Sequence, residues 1–169
     1  MSVTPEQALA ELRAAGDPDR AAGAAAYHKA ARDYLGVPVP VITDLAKGWR
    51  AEMDVPGRVA LADALWRTNI HEARVAAAKL LTQARIRDDG PVWDLFTAWV
   101  PEFDAWAIAD HACELGARRL VADPSRIDAV EGWTGGESLW TCRAAFVVTL
   151  PWTKQNFPKP EDLAIRDRV

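Results

Sequence analysis

The chain has 169 residues, half of them hydrophobic, and its 20 Lys and Arg are outnumbered by 24 Asp and Glu, for a net charge of −4. That length suits one domain with a substantial core. The acidic balance argues against a protein held on nucleic acid by basic excess alone, since phosphate neutralisation drives such affinity; a nucleic-acid partner would need the cations gathered on one face. Alanine, the best helix former, supplies much of the hydrophobic half and strand-type runs of Val, Ile and Thr are scarce, so an all-α fold is expected.

The first helix is predicted over 5–14, with Thr4 as N-cap, Pro5 as its first residue and Glu6 and Gln7 in the first turn. This start lacks the basic and apolar regions of a signal peptide. No apolar run reaches the roughly eighteen residues of a membrane span, so a soluble cytoplasmic protein is expected. Further helices are predicted over 18–34, 39–50, 55–68, 70–85, 91–100, 103–120, 124–132 and 137–149, with a weak one after Pro160. Between them lie breaks such as Gly16-Asp17-Pro18, "LGVPVP" at 35–40 and Asp54-Val55-Pro56, where Pro in a first turn follows Gly or Asp, and "TGGES" at 134–138. Such short connections set neighbouring helices antiparallel. Pairs of similar length fit a HEAT-like α-solenoid, whose curvature makes a concave face for a long partner. Strict self-similarity is absent, and an irregular bundle is the alternative.

His71-Glu72 has the look of a zinc-protease helix, but Val75 stands where the second histidine belongs. With only His28, His71 and His111 in the chain, no metal site follows from spacing, and Glu72 reads as structural. Cys113 and Cys142 show no CxxC spacing and read as small buried hydrophobes. Gly135-Gly136 reads as a turn and Ser138 as a cap or first-turn residue. Most of the eight tryptophans must be packing residues. Two sit beside polar groups at helical spacing: Trp106 four residues before Asp110, and Trp140 three before Arg143. Asp110 is a poor helix-interior residue and Arg143 has mostly apolar flanks. A structural ion pair between them is one reading and a working surface the other.

Four stretches resemble the AlkD-type DNA alkylation-repair glycosylases, a family of HEAT-like helical repeats. "YHKAARDYLGVPVPVITDLAK" at 27–47 is similar to the family's Tyr-x-Lys segment and Leu-Gly-Val-Pro turn. "ALWRTNIHEARVAAAKLL" at 64–81 is similar to its Leu-Trp…His-Glu-x-Arg helix pair. "FDAWAIAD" at 103–110 matches the segment of the catalytic aspartate, and "ESLWTCRAAFVVTL" at 137–150 the Trp-x-x-Arg-Ala segment with a DNA-contacting arginine.

The resemblance implies a single HEAT-like domain over 1–169 that excises N3- or N7-alkylated purines from duplex DNA, acting as a monomer without metal or cofactor. Asp110 would be the catalytic anion and Trp106 the aromatic neighbour of the cationic base or sugar. Arg143 would hold a backbone phosphate, with Trp140 beside it; Tyr27 and Lys29 would be further DNA contacts. The family continues through further helices past the position of Val169, so one wall of the groove is expected to be missing, and Thr43 stands where many relatives carry arginine. A DNA-binding module without turnover and a protein-interaction scaffold are the alternatives.

Overall fold

A computed structural model describes residues 3–169. Among them the fold is all-α, and the only strand-like feature is an isolated bridge between Asp33 and Ile70. The chain forms two compact units, one ending at Thr82 and one starting at Gln83.

The first unit holds α1 (Pro5–Ala14), α2 (Pro18–His28), α3 (Val39–Ala51), α4 (Val55–Arg67) and α5 (His71–Leu81). Its helix starts follow local chemistry. Thr4 and Gln7 form a capping box, and the Asp17 and Asp54 carboxylates cap α2 and α4 ahead of a proline. α5 is the central element, packing on α1, α3 and α4 and buried at every residue except Lys79. Its run of alanines lets three neighbours approach closely while Val75, Leu80 and Leu81 fill the space between them.

The second unit comprises α6 (Gly90–Trp99), a 3-10 turn (Val100–Glu102), α7 (Trp106–Ala122), a second 3-10 turn (Pro124–Arg126), α8 (Ile127–Trp133), α9 (Leu139–Val148), α10 (Leu150–Thr153) and α11 (Pro160–Arg166). α7 packs on α6 and α9. At its crossing with α6 only glycine fits: a Cβ on Gly116 would lie 2.3 Å from Phe96 Cζ.

Several predicted boundaries move: the helix predicted over 70–85 ends at Leu81, the one predicted from 124 becomes α-helical only at Ile127, and two further shifts bear on candidate residues. The second helix stops at His28 rather than 34, because Lys29 turns left-handed (φ 58°) and the chain runs on through a loop to Pro38. The segment predicted from 103 becomes helical only at Trp106. Pro101 sits in the 3-10 turn, and Phe103, extended and buried, precedes the helix.

Candidate functional site

Trp106 is the first residue of α7, which starts without a side-chain cap, and its indole is 42% exposed. One turn on, Asp110 stands on the same face with 37% of its side chain exposed. Arg143 reaches it from α9: Nη2 donates to Oδ1 at 3.0 Å and to Oδ2 at 3.1 Å, and Nε to Oδ1 at 3.3 Å. One edge of the guanidinium therefore holds both carboxylate oxygens. Nη1 has no hydrogen-bond partner among the described residues and is left for another acceptor.

The ion pair is at the surface, with 43% of the Arg143 side chain exposed. It borders a groove of about 650 Å³ whose walls include Trp106, Leu139, Trp140, Arg143 and Phe146. Leu139 and Phe146 are 75% and 54% exposed, unusual for large apolar side chains in a folded domain. Five other tryptophans (49, 66, 93, 99 and 152) are buried as packing residues. Sequence reasoning placed Trp140 and Arg143 here but missed Leu139, Cys142, Phe146 and Val147, which follow from the helical phase of α9: 139, 143, 146 and 147 share a face.

The two cysteines part company. Cys113 is buried on the inner side of α7. Burial pushes its thiol far above the usual range, the Asp110 charge adds to this and Arg143 opposes it, so the thiol stays protonated. Cys142, expected to be buried, is half-buried and lines the groove, donating its S–H to the carbonyl of Gly136 at 3.1 Å. Ser138 is the N-cap position of α9 but makes no side-chain cap bond.

Tyr27 and Lys29 belong to the first unit. Tyr27, in the last turn of α2, is 69% exposed, its ring edge-on to His28 at 5.0 Å, and Lys29 is exposed in its left-handed turn. Behind them His28 stacks on His71 at 4.6 Å and Tyr34 on His71 at 5.0 Å. Burial lowers the pKa of His28, and Arg32 adds to this while Glu72 opposes it. Glu72 is structural: its two oxygens accept the amides of Leu35 and Gly36, each at 2.8 Å. Gly36 sits at φ 76°, and a Cβ there would come within 2.1 Å of the Asp17 carbonyl oxygen. Thr43 donates to the carbonyl of Val39 at 2.9 Å on its own helix. Among the described residues no three His, Cys, Asp or Glu gather as a metal-holding group, and no helix is long and apolar enough to cross a membrane.

The sequence model of one family, described as DNA alkylation repair enzyme, matches residues 8–165. Neither the curated proteins nor the solved structures contain a match to the chain.

Proposed function

The chain belongs to the DNA alkylation repair enzyme family, and from that premise we propose that it is a DNA glycosylase for cationic N3- or N7-alkylated purines in duplex DNA. The family supports a role in DNA alkylation repair, with DNA as the partner. The observation that carries the finer reading is Asp110: a solvent-open carboxylate, one helical turn from an exposed indole, held by an arginine at the edge of an aromatic groove.

An N-alkylated purine already bears positive charge, so it departs as a neutral base without a general acid. The C1′–N bond breaks with both electrons passing to the base, and positive charge grows on the sugar ring. Asp110 stabilises that oxocarbenium-like state and orients a water, which attacks C1′ and loses a proton to the carboxylate or to solvent. The exposed face of Trp106 favours a cationic base or sugar. Arg143 keeps one edge on Asp110 and offers Nη1 to a backbone phosphate, tying the strand to the anion.

The test is release of 7-methylguanine and 3-methyladenine from methylated duplex DNA. Asp110→Asn should lower the single-turnover rate at least 10²–10³-fold, the scale of losing one electrostatic transition-state contact, with the melting temperature close to wild type. Absence of release by the intact protein would sink the reading.

One observation favours a second reading. Both Asp110 oxygens are engaged by Arg143, a geometry that also suits a purely structural ion pair between helices, and with Asp110 in that role the protein is a DNA-binding module. Salt-sensitive DNA binding without base release, unaffected by Asp110→Asn, would identify it.

A further inference from the structure

The exposed stripe of α7 does not end at Asp110. At helical spacing it continues through Glu114, Ala117, Arg118 and Val121, and there it meets a second groove of about 340 Å³, whose other walls are Ala84 and Pro151. Each of the three chain segments at this groove carries an exposed cation. Arg118 lines it, Arg85 follows Ala84, and Lys154 lies three residues after Pro151. None of the three forms an ion pair or side-chain hydrogen bond among the described residues. Of the other arginines of this unit, Arg119 and Arg126 are committed to Asp89, Arg143 to Asp110, Arg166 to Asp167 and Arg168 to Asp128 and Glu131, while Arg87, two residues beyond Arg85, is exposed and uncommitted like it. In a chain of net charge −4, one uncommitted cation on the wall and two more, Arg85 and Lys154, within three residues of other wall residues, against the single lining carboxylate Glu114, tip the local charge to positive.

We propose that this groove binds the DNA sugar–phosphate backbone, with Arg118, Arg85 and Lys154 taking phosphates beyond the one held by Arg143. The inference rests on DNA being the substrate of the Asp110 site. Its chemistry suits that occupant: Arg118 on the wall, with Arg85 and Lys154 on the adjoining segments, for phosphates, and Ala84, Ala117, Val121 and Pro151 as an apolar lining for deoxyribose. Eight residues of α7 separate Asp110 from Arg118, about 12 Å at 1.5 Å per residue. Phosphates of one strand follow every ~3.4 Å along the duplex axis, so Arg118 is within a few nucleotides of the lesion. Glu114 is the one carboxylate lining the groove and opposes the same phosphates.

The test is fluorescence anisotropy with an undamaged 25-base-pair duplex between 50 and 200 mM salt, using the full chain. Arg118→Gln should lower the slope of log affinity against log salt by about 1, and the triple change with Arg85→Gln and Lys154→Gln by about 2–3. Glu114→Gln should tighten binding about two-fold or more, a gain that a merely structural role would not give. All four positions are exposed, and thermal melts check that the variants fold. An unchanged salt slope in the triple variant overturns the proposal, even if the protein releases bases. A lowered slope in a protein that releases none upholds it while the glycosylase reading falls. No DNA binding by wild type at low salt overturns both.

Discussion

In the first unit the buried carboxylate of Glu72 gives both oxygens to backbone amides of a turn, whereas in the second the carboxylate of Asp89 gives its oxygens to two guanidinium groups. Arg119 Nη1 and Arg126 Nη1 each donate to Asp89 Oδ2 at 2.9 Å, and Arg126 Nη2 to Oδ1 at 2.6 Å. The Arg119 side chain is wholly buried and also donates to the carbonyls of Gln83 and Ala84. Arg126 lies over the Trp93 ring at 5.2 Å. One unit thus clips a loop with neutral partners; the other ties the segment before α6 to α7 with charge on charge. The second unit also holds a different carboxylate, Asp110, at the surface beside exposed aromatic groups.

The comparison predicts unequal costs when each acid is removed. Asp89→Ala leaves a fully buried guanidinium facing no anion, and breaking a buried pair in this way costs about 3–5 kcal/mol. Chemical denaturation measures it, and hydrogen exchange should place the loss in α6, α7 and the segment joining 83 to 89. A loss below about 1 kcal/mol would mean that water reaches Arg119 and that the contrast between the units is false. Arg126 holds the Asp89 carboxyl well below the usual carboxylate range, against an opposing effect of burial. A carboxylate with a depressed folded pKa contributes stability above its unfolded value and loses it as pH falls through the folded one, so this network should persist to pH values where ordinary carboxylates are already protonated.

Glu72→Ala should cost less, about 1–3 kcal/mol, because it strips acceptors from two amides rather than a partner from a charge. Its exchange signature should be confined to residues 29–38 and the start of α5. Loss of protection throughout the first unit instead would mean that the turn is part of the core rather than a clip upon it.

These two acids also mark where the sequence was legible. Helix starts at Pro5, Pro18 and Val55 follow from a capping side chain and an early proline, all local. The end of α2 at His28 was not legible, since Ala30 and Ala31 continue a helical composition. What stops it is a loop whose amides are held by Glu72, 36 and 37 residues away. The start of α7 carries no cap residue, so nothing local separated 103 from 106. The burial of Arg119 was readable in principle: it shares the inner face of α7 with Ala112 and Leu115, while Arg118 falls on the outer one. At the candidate site, spacing put Trp106 with Asp110 and Trp140 with Arg143. Joining the two helices takes a contact between residues 33 apart, which no periodicity encodes.

The smallest effect separates the units by pH. In the first, burial lowers the pKa of His28, with the Arg32 charge in the same direction and Glu72 against it; His71 and Tyr34 stack around it and Arg20 lies across the same cavity. The fold thus favours neutral imidazole. A histidine with a depressed folded pKa contributes stability above its unfolded value, near 6.5, and loses it as pH falls through the folded one. Acidification from pH 7.5 to 5 should therefore loosen the first unit before the Asp89 network in the second is protonated. Exchange protection in α2 and α5 should fall over that range while protection in α6 and α7 holds, and His28→Gln should flatten the change in α2 and α5. If instead α6 and α7 lose protection first, charge-on-charge bonding is the more acid-sensitive design of the two, and the contrast drawn between Glu72 and Asp89 is reversed.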